Sequence, residues 1–132
     1  MRILLLAATA LVLVGFTDAT TRVPAIKYQD GKFGLILVTQ AKNALYTWNV
    51  EKRAHGKIRC VGACAVAWPP LLAKGTVPKH VAGISGAFGT IRRPGGKRQV
   101  TFNGLAVYTY AHEGPKQVLC DNVDGWFVVR IR

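Results

Sequence analysis

The chain has 132 residues, with 18 Lys+Arg against 6 Asp+Glu for a formal charge of +12, and half of its residues are hydrophobic. This length suits one compact domain and excludes two. The charge opposes compaction and favours anionic surfaces such as phosphate-rich envelope polymers, lipid head groups or nucleic acid.

The first element is an apolar run from Ile3 to Val14, preceded by Arg2. A run of about 12 residues is too short to cross a bilayer and reads as a secretory leader, against the alternative of a buried N-terminal helix. Thr17 and Ala19 occupy the −3 and −1 positions for cleavage after Ala19. No cysteine follows the run, so nothing marks a lipid-anchored N-terminus. Residues 1–19 are therefore expected to be a signal peptide, and residues 20–132 a single soluble domain, periplasmic or secreted. The leader carries one base, Arg2, and one acid, Asp18, so the remaining chain keeps the +12 charge.

"FGLILVT" (33–39) is a short aliphatic run and predicts a strand buried on both faces. In "ALYTW" (44–48), Tyr46 and Trp48 share one strand face while Leu45 and Thr47 share the other. "CVGACAVAWPPLLA" (60–73) is rich in Ala and predicts a short helical segment near 64–68, stopped by Pro69-Pro70. Residues 74–86 read as a loop. Three antiparallel strands are expected at about 88–93, 97–102 and 105–110. Pro94-Gly95-Gly96 and Asn103-Gly104 mark the two turns between them. "GWFVVRI" (125–131) predicts the last strand.

The chain repeats itself with a shift of 62 residues: "VTQAKNALYTWNVE" (38–51) lies over "VTFNGLAVYTYAHE" (100–113) without a gap. Each copy then runs on to a cysteine and a tryptophan, Cys60 and Trp68 in one and Cys120 and Trp126 in the other. The fold expected is all-β, with two related units at about 33–73 and 87–131 packed into one domain.

The combination of Tyr-x-aromatic-x-x-acid twice, "CVGACAVAWPPL", the Gly/Arg-rich hairpin and "QVTFNGLAVY" resembles a bacterial family of secreted repeats of unknown function. Members of that family are described as lipoproteins with a Y-x-[FWY]-x-x-D motif. The resemblance covers about residues 34–130 and implies an exported protein, with no established activity to carry over. This chain has Glu51 and Glu113 where the family has Asp, it lacks the lipid-attachment cysteine, and it adds Cys120.

Several groups are candidates for chemistry. Cys60 and Cys64 can close a small disulfide loop if Gly62 supplies the tight backbone angle, leaving Cys120 free or as an alternative partner. A redox or copper-type metal site using Cys60, Cys64 and Cys120 is the competing reading, although His55, His80 and His112 lie at no ligand spacing. Tyr46, Trp48, Tyr108 and Tyr110 can stack on a flat ligand, but aromatics at period 2 are expected to fill the core. Glu51 and Glu113 invite an acid/base reading. Their cationic surroundings predict lowered pKa values, and an Arg partner or a cap on turn N–H groups is the expected role.

Arg92, Arg93, Lys97 and Arg98 surround a hairpin tip, and "EKRAHGKIR" (51–59) adds more positive charge. Either stretch can meet phosphates, yet nothing in them reads bases. Ser85 is the only serine and lies outside a Gly-x-Ser-x-Gly elbow. No dinucleotide or zinc-protease motif occurs either. The expected role is non-enzymatic and without a cofactor: a binding or structural protein with an anionic cell-envelope partner. The alternative is a thiol-redox or metal-handling protein.

Overall fold

A computed structural model describes residues 8–15 and 21–132. Most of the expected signal peptide, including its cleavage site after Ala19, lies outside the described residues. Residues 8–15 are exposed and carry no regular secondary structure. No helix among the described residues is long and apolar enough to cross a membrane.

Short antiparallel strands dominate. β1 (Ile26–Asp30) pairs with β2 (Gly34–Val38), β3 (Tyr46–Trp48) with the last strand, β7 (Trp126–Val128), and β4 (Phe88–Arg92), β5 (Arg98–Phe102) and β6 (Leu105–Ala106) form a three-stranded sheet. Two helices of five residues each interrupt them, α1 (Asn49–Arg53) and α2 (Ala63–Ala67). The all-β class is thus the observed one.

Local chemistry explains the turns. Asp30 Oδ1 accepts the N–H groups of Lys32 and Phe33 at 2.8 and 2.9 Å, an Asx turn that reverses the chain between β1 and β2. Asn103 and Gly104, both at positive φ (50° and 81°), make the two-residue connection from β5 to β6. Trp68, before Pro69, has left helical angles (φ −122°, ψ 77°), which ends α2 one residue earlier than expected.

Two elements went unread in the sequence. β1, "IKYQD", alternates half-buried and exposed positions, but its polar residues hide the pattern. α1 follows β3 without a side-chain N-cap and is too short to carry a helical period. The third strand of the 88–110 sheet is also shorter than expected. Beyond Val107, whose N–H still donates to Val100 O, the chain leaves β5, and Tyr108 forms antiparallel bridges with Tyr46 and Pro70 instead.

The strands divide the interior in two. Ile36, Val38, Tyr46, Tyr108, Trp68, Trp126 and Val128 belong to one buried cluster. Leu37, Leu45, Val100, Val107, Phe88, Phe102 and Val129 belong to the other. Consecutive residues such as Leu45 and Tyr46 therefore enter opposite cores, as the period-2 geometry of a strand requires. Leu37, within β2, is fully buried between two buried neighbours, so this strand is covered on both faces.

Two closed rings of backbone hydrogen bonds join the sheets. In one, Leu37 N–H donates to Val129 O (2.9 Å), Val129 N–H to Leu45 O (2.8 Å) and Leu45 N–H to Leu37 O (3.0 Å). In the other, Val100 N–H donates to Leu71 O (2.8 Å), Leu71 N–H to Val107 O (3.1 Å) and Val107 N–H to Val100 O (3.1 Å). All six carry aliphatic side chains in or against the second core. The rings thus satisfy backbone groups where water is excluded.

Candidate functional site

Tyr46 and Tyr108 lie side by side at the centre, exchanging backbone bonds of 2.8 and 3.0 Å. Both are fully buried. Their hydroxyls reach in opposite directions along the chain: Tyr46 donates to Glu113 Oε2 (2.6 Å) and Tyr108 to Glu51 Oε2 (2.8 Å). Each tyrosine thus serves the glutamate that follows the other. The glutamates also cap turns. Glu51 Oε2 accepts the N–H groups of Arg59 (2.7 Å) and Cys60 (3.1 Å), and Glu113 Oε2 accepts that of Leu119 (2.9 Å).

The N–H cap expected of the glutamates is observed; the Arg partner is not. The one ion pair among the described residues is Arg130–Asp121 at 2.8 Å. Both glutamates are buried, and Oε1 of each has no hydrogen-bond partner among the described residues. Burial pushes the Glu113 pKa up against the opposing hydrogen bonds from Tyr46 and Leu119. The expected lowering by surrounding cations is therefore overturned at Glu113: desolvation outweighs charges that stay on the surface. Burial first, then the carboxylate partner, raises both Tyr46 and Tyr108 far above the usual phenol value.

The aromatic residues make a single stack. Trp68 and Trp126 lie face to face, 3.9 Å apart at 9°. Trp48 continues the pile on Trp126 (5.0 Å, 3°), and Tyr110 lies tilted on Trp68 (4.7 Å, 35°). Tyr46 meets Trp68 edge-on (5.3 Å, 75°) and Tyr108 meets Trp126 edge-on (5.2 Å, 80°). Tyr46 and Tyr108 are core, while Trp48 and Tyr110 are half-buried ends of the pile. The two tryptophans matter more than the reading of the sequence allowed, since they hold the middle of the stack.

Cys60 and Cys64 form a disulfide, with Gly62 between them at φ 59°. Cys120 is a free, buried thiol. Burial raises its pKa, and the neighbouring Glu113 charge adds to the rise. Among the described residues no three His, Cys, Asp or Glu side chains form a group able to hold a metal ion. His55, His80 and His112 are exposed and apart, His112 resting edge-on against Tyr110 at 5.5 Å.

The chain matches no family model, no curated protein and no solved structure.

The hairpin cations separate into two kinds. Arg92, Lys97 and Arg98 are exposed, and Arg98 Nη2 donates to Thr90 Oγ1 at 3.1 Å. Arg93 points inward. It is 9 % exposed, donates from Nη1 to Gln99 Oε1 (2.6 Å) and from Nη2 to Cys60 O (2.7 Å), and lies 6.0 Å from the Tyr108 ring centre. Its guanidinium is used inside the fold, so the cations exposed at the tip are Arg92, Lys97 and Arg98. The signal for this was present: Arg93 stands two residues after the inward Ile91, and strand alternation turns both to one face. Gln99, fully buried, gave no such signal; it links Arg93 to Val107 O (2.9 Å).

Proposed function

We propose that this is a small exported, non-enzymatic protein of the cell envelope that binds an anionic partner through a cationic face. The observation that carries this reading is the Arg93–Cys60 bond. It ties the 88–102 hairpin to the 51–60 segment, so two basic stretches far apart in sequence adjoin in space. Lys52, Arg53, Lys57 and Arg59 on one stretch and Arg92, Lys97 and Arg98 on the other all have exposed side chains. Cations gathered on a surface of net charge +12 attract polyanions over a range set by ionic strength.

On this reading the leader exports the chain, and the disulfide suits an oxidising compartment. The resemblance to the secreted repeat family points the same way. We also read the chain as two related units. The reciprocal Tyr46–Glu113 and Tyr108–Glu51 bonds and the paired backbone rings support that view. Each unit supplies the carboxylate that the other's tyrosine needs, so neither is complete alone.

The test is binding to an anionic polymer of repeating phosphates across a salt series. Affinity should fall steeply between about 50 and 200 mM salt, and Arg92→Ala/Lys97→Ala/Arg98→Ala should weaken it while leaving the melting temperature unchanged. Salt-independent binding, or none, sinks the reading. A second reading, thiol exchange through Cys60 and Cys64, has the half-buried position of Cys64 in its favour. There, Cys60→Ala/Cys64→Ala should abolish exchange with a small-molecule dithiol; lost stability alone speaks for a structural clip.

A further inference from the structure

A cleft of about 330 Å³ opens among residues 22–24, 39–41, 71–72, 74 and 77. Its floor and walls are apolar: Val23, Pro24, Ala41, Leu71, Leu72 and Val77. Two cations, Arg22 and Lys74, also line it, and no acid does. Both cations are exposed, and neither has an ion-pair partner among the described residues. Arg22 N–H donates to Thr76 O at 3.2 Å, and Thr21 bridges Thr76, which brings the Arg22 and Lys74 segments together. Gln40 Nε2 donates to Val23 O at 3.0 Å and holds the facing wall.

This arrangement has the composition of a ligand site: an apolar interior with a few placed polar groups at the lower end of the size range of small-molecule pockets. The chemistry of its lining selects the ligand. An apolar chain is favoured inside, a cationic or neutral head loses against an anionic one, and Arg offers a planar fork that matches a carboxylate. The volume admits one acyl chain and excludes a two-chain lipid seated whole.

We propose that this cleft binds a single-chain anionic amphiphile of the fatty-acid type, its chain against Leu71, Leu72 and Val77 and its carboxylate between Arg22 and Lys74. The inference stands on the cleft alone and does not depend on the cationic hairpin face.

Calorimetric titration with octanoate, decanoate and dodecanoate, each kept below its micelle threshold, tests it. Affinity should rise about fourfold for each added CH₂ until the cleft is full. Decanol should bind at least about tenfold more weakly than decanoate, and decyltrimethylammonium should not bind. Ala41→Trp places a large ring in the cleft from an exposed position, so decanoate binding should vanish while the melting temperature holds. Arg22→Ala/Lys74→Ala should reduce decanoate to the level of decanol. Equal affinity for decanol and decanoate overturns the proposal, as does decanoate binding that survives Ala41→Trp. Binding confined to phosphatidylglycerol vesicles, with no uptake of monomeric decanoate, also overturns it and marks the cleft as a membrane contact. Loss of phosphate-polymer binding by the hairpin variant, with decanoate binding intact, is the expected sign that the two sites are separate.

Discussion

At the scale of single residues, the two buried glutamates decide most. Each concentrates its hydrogen bonds on Oε2 and leaves Oε1 without a partner among the described residues, so each pays for burial with few donors. Glu51 receives three bonds, two from N–H groups and one from Tyr108; Glu113 receives two, from Tyr46 and Leu119. Removing a donor from the poorer site should cost more. Tyr46→Phe is expected to lower unfolding free energy by about 2–3 kcal/mol, and Tyr108→Phe by about 1–2 kcal/mol; urea denaturation measures both. An inverted order would show that Arg93, at 3.5 Å from the Tyr108 hydroxyl, matters more than the count of donors.

Glu113 also sets a pH dependence. Its folded-state pKa is raised above the ordinary 4.5, so folding favours the protonated acid. Its contribution is complete below the unfolded value and is lost as pH rises through the folded one. The melting temperature of the wild type should therefore fall more than that of Glu113→Gln as pH rises from the ordinary value of 4.5 through the raised folded-state one. Parallel curves would remove Glu113 from the account. Tyr46 and Tyr108 follow the same sign at the alkaline end. Their pKa values are raised, so phenolate absorbance from these two should appear only with unfolding, above about pH 10.

At the scale of elements, the aromatic stack and the disulfide hold pieces too short to hold themselves. β3 and β7 have three residues each and β6 two, far from independent stability. Trp126 in β7 and Trp68 at the end of α2 pack face to face and join these pieces across the first core. Trp68→Ala should cost about 3–5 kcal/mol and remove the coupled tryptophan bands from near-ultraviolet circular dichroism. Trp48→Ala, at the half-buried end of the pile, should cost less. The Cys60–Cys64 clip closes a very small loop, for which chain entropy predicts about 2 kcal/mol; melting of Cys60→Ala/Cys64→Ala checks it. Buried Cys120 should resist alkylation until the protein unfolds.

At the scale of the whole molecule, charge and apolar core are kept apart. Among the described residues the cations lie outside the two cores, with Arg93 the exception; the hairpin tip, the 51–60 segment and the rim of the Arg22–Lys74 cleft carry much of the exposed positive charge. Self-repulsion among these groups is screened by salt, so melting temperature should rise with ionic strength even as polyanion binding falls. A salt-independent melting temperature would mean that the charges are too dispersed to repel.

The strand class, the turns at Asn103-Gly104 and Gly62, the burial of β2 on both faces and the inward aromatics were legible in the residues. Each depends on backbone sterics or period-2 alternation, which neighbouring residues determine between themselves. The tyrosine partners of Glu51 and Glu113, the Arg93–Cys60 bond, the Trp68–Trp126 contact and the cleft between Arg22 and Lys74 were not. They depend on residues 33 to 67 positions apart in the chain coming together, and on desolvation that exists only once the surrounding chain has closed. The sequence alone set what each stretch could become locally; the tertiary structure decided which carboxylate met which hydroxyl, because burial changes the energy of a charge far more than its neighbours in the chain do.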